Sequence, residues 1–405
     1  MTEAVIVAAA RTPIGRAHKG SLTGVRPDDL AAHAVRAAIS TLGLGDDLVV
    51  DDLLLGCGLP GGEAGYNMAR VVAELSGLRN VPSATVNRYC ASSLQTTRMA
   101  FHAIRAGEGH TFVSAGVESV SRTLTGNPDG APGTQNPVFA RARERTAARS
   151  MSNDPWEDPA RLELASDVYI SMGETAENVA SAYDVSRADQ DAYAALSQER
   201  TQVAIEQGHW AREITPIELP DGTRVVDDDS PRAGVTVESL AGLRPVFRES
   251  GTVTAGNSCP LNDGAAALVV MSAVRARALG LTPLARIVST AVSGLSPEIM
   301  GMGPVEASRK ALDLAGLTMA DMDLVEINEA FAAQVLACAR ELKVDLDRLN
   351  VHGGAIAVGH PFGMTGARIT GTLVNALRAR DGRLGLETMC VGGGQGMAMV
   401  LERLT

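Results

Sequence analysis

The sequence predicts an α/β fold in which one strand–helix unit is used twice, with a large excursion from that core in mid-chain. Three observations predict it. Short apolar, β-branched runs repeatedly give way to Gly- or Asn-bearing turns and then to helical periodicity. Glycine is abundant, 42 of 405 residues, while aromatics make up only 3%, as suits many tight strand-to-helix turns. The second half also echoes the first in order. Asp323-Leu324-Val325 followed by helical Glu329–Leu342 matches Asp52–Leu55 followed by Met68–Leu75, and Met389–Gly393 matches Val113–Val117.

Along the chain, Ala4–Ala10 reads as a buried strand. Asp28-Asp29 caps a helix over Leu30–Leu42, stopped by Gly43 and Gly45. Leu53–Leu55 is a second strand, Met68–Leu75 a helix, and Ala84–Val86 a third strand that leads through Asn87-Arg88-Tyr89 into a helix burying Leu94, Met99, Phe101 and Ile104. Strand Thr111–Ala115 ends at Gly116. From Arg122 to about Ser250 the texture changes: a Gly/Pro-rich stretch over 126–133, an arginine cluster (Arg141, Arg143, Arg145, Arg149), and helices Glu174–Tyr183 and Arg187–Gln207. Asp221–Asp229 reads as an exposed hairpin or loop. The arginines read first as a solvated helix face, and otherwise as contacts for a phosphorylated substrate tail or a neighbouring subunit. Regular pattern resumes with the continuous apolar strand Gly264–Met271, of the kind found inside sheets.

Composition excludes several classes of function. A net charge of −11 argues against nucleic acid or an anionic membrane as the main partner. Five cysteines without a CxxC pair argue against a disulfide framework and a thiolate metal site, so no metal is expected. The start lacks a signal-peptide pattern and no apolar run reaches spanning length, which predicts a soluble, cytoplasmic protein without membrane insertion. Gly56-Cys57-Gly58-Leu59-Pro60-Gly61 matches a dinucleotide glycine pattern, but the next strand ends at Asn87-Arg88 rather than in the acid that would hold a ribose.

Chemistry concentrates at four corners. Cys90 falls where a strand hands over to a helix, near unpaired N–H groups that lower a thiol's pKa. A small buried hydrophobe is the other reading of such a cysteine. His360 lies between Gly359 and Pro361, outside any helix interior, and a histidine in reach is the usual base for a cysteine nucleophile. Cys390 ends a strand beside Gly392-Gly393-Gly394, whose bare N–H groups can form an oxyanion hole. Asn328, in Glu326-Ile327-Asn328-Glu329-Ala330-Phe331, either orients a water or caps the following helix. Cys338 and Cys57 read as structural.

The stretches N-R-Y-C-A-S-S, T-A-G-N-S with N-D-G-A-A, N-E-A-F, G-G-A-I-A-V-G-H-P and C-V-G-G-G-Q-G occur in that order from end to end. Together they resemble the thiolase family, acyl-CoA acyltransferases that make or break a carbon–carbon bond beside a thioester. The resemblance implies a duplicated five-layered α/β/α/β/α core. One half would be 1–121, completed by a strand at about 251–273, the other 274–405, with a loop domain over 122–250 covering CoA. It implies Cys90 as the acyl-accepting nucleophile and His360 as its base. Asn328 would hold a water in one oxyanion hole, and the N–H groups of Cys90 and Gly392 would form the other. Cys390 would move the proton at the α-carbon. Met172, Ser258, Met300 and Phe331 match segments lining the pantetheine and acyl pocket. Coenzyme A would be a substrate, with no permanently bound cofactor, and the assembly a homodimer or homotetramer.

Three positions depart from the family pattern. His352 stands where Asn or a small residue is usual, and Cys259-Pro260 follows Asn257-Ser258; both bear on CoA contacts and neither is expected to touch the catalytic set. Ser171 replaces the histidine that biosynthetic members show before Met172, which favours thiolytic cleavage of longer 3-oxoacyl-CoA over condensation of two acetyl-CoA. A condensing ketoacyl synthase would need two histidines, where this chain has Cys390 and Asn328. A non-catalytic acyl-CoA or lipid carrier would be expected to have lost one of Cys90, His360 or Cys390.

Overall fold

The computed structural model describes residues 2–123, 133–152 and 154–405; most of the Gly/Pro-rich stretch lies outside these. The first half supplies strands β1 (Ala4–Arg11), β2 (Asp52–Cys57), β3 (Ser83–Val86) and β4 (Thr111–Ser119), joined after the excursion by β5 (Asn262–Ser272). The second half supplies β6 (Ala285–Gly294), β7 (Leu324–Ile327), β8 (Leu384–Val391) and β9 (Gln395–Arg403). They lie in the order β3-β2-β4-β5-β1-β6-β9-β8-β7. In the first half β2 runs parallel to β4, which is antiparallel to β5, itself antiparallel to β1. In the second half β7, β8, β9 and β6 repeat that pattern. Val5 pairs with Arg286 and Ile6 with Ala285, and the Leu284 amide donates to the Ile6 carbonyl at 2.8 Å, joining the two halves of the sheet.

Side-chain alternation sorts the strands into layers. Val5 and Val7 of β1, with Leu53 and Leu55 of β2, face α1 (Pro27–Ser40) and α2 (Met68–Leu75) on one outer side. Ala4, Ile6 and Leu54 face inward, onto α3 (Ser92–Ala106). Leu386 and Val400 of the second sheet face α7 (Gly303–Ala315) and α8 (Ala332–Leu342) outside, while Met389 and Met399 face α9 (Thr365–Ala379). The duplicated five-layered α/β/α/β/α core follows, with α3 and α9 in the middle layer. These two helices touch where Ala367 N donates to Ser93 Oγ at 2.9 Å. A Cβ on Gly116 would lie 2.0 Å from the Gly363 carbonyl, so the two halves meet here through backbone that tolerates only glycine.

Several boundaries differ from the sequence reading. The first long helix starts at Pro27, which favours the first helical position, and ends at Ser40; Asp28 and Asp29 complement its dipole from the first turn rather than capping it. Strand β4 runs through Gly116 to Ser119, because the close approach of Gly363 needs a glycine there and not a turn. Met99 is only partly buried, and the α3 face is completed instead by Ser93, Thr97 and Ala100.

The excursion carries α4 (Ala140–Ser152), α5 (Met172–Ala182) and α6 (Arg187–Glu206). Its arginine cluster is not a uniformly solvated face. Arg145 and Arg149 bond the fully buried Glu298 at 2.8 and 3.1 Å, while Arg141 and Arg143 stay exposed. The stretch 221–229 is likewise only partly exposed. Asp228 bonds Arg11 at 2.7 Å and the Ile14 amide at 2.8 Å, and Asp229 accepts from the amides of Arg16 and Ser21.

Candidate active site

Four strand ends and one loop converge at the junction of the two halves. Asn87-Arg88-Tyr89 turns the chain out of β3, with Tyr89 at φ +42, a backbone region costly for a non-glycine residue. The turn is held by Tyr89 N donating to Asn87 Oδ1 at 2.7 Å, and by Ser92 Oγ donating to the Tyr89 carbonyl at 2.6 Å. Cys90 follows in a single 3₁₀ turn leading into α3. The amides of Gly392 and of Cys90 itself pull the thiol's pKa down, but burial and then the Glu118 charge outweigh them and push it up to about 12. The helix start therefore does not make a free thiolate, contrary to the sequence expectation. Any chemistry that uses this sulfur as an anion needs a base to take its proton.

His360 is held in place by its own loop. Its amide donates to Asn262 Oδ1 at 2.9 Å. This approach depends on Gly359, at φ +112, where a Cβ would lie 2.7 Å from Asn262 Cγ. Nδ1 lies 2.6 Å from Thr365 Oγ1, and Nε2 lies 3.3 Å from Asn328 Nδ2. Burial, then the Arg368 charge, lower the imidazole to about 3, so it is neutral at physiological pH. Asn328 does not cap the following helix: α8 begins at Ala332 with Phe331 at its cap position. Its Oδ1 is buried and unpartnered, as suits an atom that accepts from a water or a substrate group.

Cys390 is fully buried near the end of β8, its thiol pushed well above the ordinary range by burial and by the neighbouring thiols of Cys90, Cys338 and Cys259. Met172, Met300 and Phe331 pack with it in one apolar cluster. Ser258 bridges to Phe331 along the backbone and donates its hydroxyl to the Thr254 carbonyl at 2.7 Å. Burial pushes the Cys259 thiol up, and the charges of Cys90 and Glu329 add to that. His352 lies elsewhere, buried and stacked on His209 with ring centroids 3.6 Å apart, and does not line the cleft at Cys90. Cys57 and Cys338 are fully buried, the latter donating to the Gly301 carbonyl at 3.1 Å.

Glu118 carries no sequence signal of its own. Its buried carboxylate accepts from the amides of Gly58 at 2.8 Å, Leu59 at 3.2 Å and Gly363 at 2.9 Å. It ties one loop of each half behind Cys90, and it occupies the donors that the dinucleotide reading would have given to a phosphate. Burial, against those amides, raises it to about 7. A cleft of about 270 Å³ opens onto Cys90 and Gly392, walled by Leu59, Tyr89, Met172 and Phe362. Among the described residues no group of His, Cys, Asp or Glu side chains is arranged to hold a metal ion.

Fold and site together define an acyltransferase built around a cysteine. Residues 4–274 match the thiolase N-terminal domain and residues 281–403 the thiolase C-terminal domain. A 3-ketoacyl-CoA thiolase of Bacillus subtilis is 43% identical over 99% of this chain and all of its own length. An acetyl-CoA acetyltransferase of Pseudomonas aeruginosa (45%) and a beta-ketoadipyl-CoA thiolase of Escherichia coli (44%) each match over the full length of both chains. Among solved structures, human mitochondrial 3-ketoacyl-CoA thiolase in complex with CoA superposes with a TM-score of 0.85 at 36% identity, over 99% of this chain and 98% of that one. The chain belongs to the thiolase family.

Proposed function

We propose that this thiolase works in the degradative direction, cleaving 3-oxoacyl-CoA with free CoA into acetyl-CoA and an acyl-CoA two carbons shorter. The observation that carries the reading is the setting of Cys90, with the Gly392 amide on its thiol and the buried Cys390 thiol charge-coupled to it, together with a neutral His360 whose Nε2 meets Asn328. The Cys90 sulfur attacks the 3-oxo carbon, and its proton passes to His360 Nε2. The oxyanion collapses and the C2–C3 bond breaks, leaving an acyl thioester on Cys90 and the enolate of acetyl-CoA. The Cys390 thiol protonates C2, and acetyl-CoA departs. The thiol of CoA then gives its proton to the Cys390 thiolate and attacks the Cys90 thioester; Cys90 leaves and recovers its proton from His360. Charge on oxygen is held by the amides of Cys90 and Gly392 in the acyl-enzyme steps, and by His360 with an Asn328-bound water at the enolate.

Met172, Met300, Phe331 and Ser258 line the pantetheine and acyl pocket in this reading, and the segment 122–250 covers CoA. No helix among the described residues is long and apolar enough to cross a membrane, and cytoplasmic residence fits five free thiols. Association as a homodimer or homotetramer is supported by the exposed Tyr66, Val71 and Leu75 flanking edge strand β3. The deciding experiment follows the loss of 3-oxoacyl-CoA enolate absorbance on CoA addition, over a series of chain lengths, beside Cys90→Ala. Turnover of longer chains that vanishes in the variant is the expected result. Activity confined to acetoacetyl-CoA would instead make the enzyme biosynthetic.

A further inference from the structure

We infer that the acyl group carried by the substrate is an uncharged hydrocarbon larger than acetyl, and that acyl groups ending in a second carboxylate are rejected. The inference rests on the thiolytic reading above. Three of the chain's few aromatic rings, Tyr89, Tyr169 and Phe362, stand round the cleft at Cys90, with Leu59, Val168 and Met172 between them. Among the described residues no lysine, arginine or histidine lines it. A carboxylate taken out of water needs a cation or several donors. Beyond the amides of Cys90 and Gly392, which the thioester oxygen occupies in this reading, the wall offers the phenols of Tyr89 and Tyr169, the latter already bonded to the Asn136 amide at 3.0 Å. Directly behind the Gly58–Leu59 wall lies the buried Glu118 carboxylate, whose charge opposes a second anion.

Size points the same way. A cavity of about 150 Å³ lined by apolar side chains accepts benzene. The cleft here is about 270 Å³ and opens to solvent, so beside the thioester end of the pantetheine arm it has room for a ring or a short chain.

The test compares kcat/KM for thiolysis of acetoacetyl-CoA, 3-oxohexanoyl-CoA and 3-oxoadipyl-CoA, the last two sharing a six-carbon acyl chain and differing in the terminal carboxylate. We expect 3-oxohexanoyl-CoA to exceed 3-oxoadipyl-CoA by ~100-fold or more, and to exceed acetoacetyl-CoA as well. Val168→Arg, at a half-exposed position in the wall, is expected to raise the 3-oxoadipyl rate about tenfold through the new ion pair and to lower the 3-oxohexanoyl rate. Equal rates on the two six-carbon substrates, a preference for the dicarboxylate, or an unchanged ratio in Val168→Arg overturns the inference and leaves the thiolytic reading standing. No turnover of any of the three overturns that reading, and the inference with it.

Discussion

The Thr365 hydroxyl lies 2.6 Å from His360 Nδ1 and 2.8 Å from the carbonyl of Pro361. A carbonyl only accepts, so the single hydroxyl proton goes to Pro361 and the oxygen accepts from Nδ1–H. The network thereby assigns the tautomer, and the Nε2 lone pair accepts from Asn328 Nδ2. Thr365→Ala removes that constraint. We expect kcat to fall about ten- to a hundredfold, within the range of lost acid–base positioning, with KM little changed, while Thr365→Ser keeps most of the activity. A KM effect without a kcat effect in steady-state kinetics would show that Thr365 serves binding instead.

Glu118 sets the charge felt by Cys90. Its ionised form raises the Cys90 pKa, and it ionises about pH 7. Glu118→Gln removes the charge while leaving one carbonyl acceptor for the three loop amides. The iodoacetamide alkylation profile of Cys90 is expected to shift to lower pH, because the thiolate is then opposed by burial alone. The lost amide bonds should cost about 1–3 kcal/mol of stability, read by urea unfolding. An unshifted alkylation profile in a folded variant would show that Glu118 only holds the loops.

How much of this was legible follows from where the partners lie in the chain. Cys90, Asn328, His360 and Cys390 each sit at a local corner whose residues are contiguous, so the motifs expose them. Thr365 left a faint local signal, a hydroxyl at the start of a helix five residues beyond His360. Glu118 left none, since its acceptor role is set by amides at 58, 59 and 363. The same distance hid the pairing of Arg145 and Arg149 with Glu298. The Cys90 pKa was misread because a helix start is visible in sequence, whereas burial between two sheets is a property of the assembled fold.

The stacked rings of His209 and His352 make folding sensitive to acid. Burial, then nearby arginines, lower His209 to about 4. Burial, then His209 and two arginines, lower His352 to about 3. Arg11, Arg212 and Arg380 face the pair, and Glu213 lies 3.7 Å from His209 Nε2. Both rings titrate near 6.5 when unfolded, so between about pH 6.5 and those lowered values the unfolded chain binds more protons. Stability is complete above that window and is lost as pH falls through it, by up to about 1.4 kcal/mol per pH unit for each ring. Urea midpoints measured from pH 7.5 to 4.5 should fall accordingly, and His352→Asn should flatten the slope. A slope unchanged by that substitution would move the acid sensitivity to other groups.

Glu298 is the anchor of the mid-chain excursion. It is fully buried and accepts from Arg145, Arg149, the Trp156 indole at 3.1 Å and the Asp167 amide at 3.0 Å. Its pKa still lies below the ordinary carboxylate range: burial acts to raise it, and the Asp167 amide and the two arginines more than offset that. Because those partners all belong to the excursion while Glu298 belongs to the second half, removing the charge acts on the docking of the segment and not on the sheets. Glu298→Ala leaves Arg149 buried without its counter-ion, a change that costs about 3–5 kcal/mol where a buried pair is broken. The loss should appear as faster hydrogen exchange across 140–167, with β1 to β9 still protected. Since Val168, Tyr169 and Met172 follow directly and wall the cleft, KM for the acyl-CoA substrate should rise while the alkylation rate of Cys90 holds or increases. Uniform loss of protection throughout the core would instead make Glu298 a determinant of global folding.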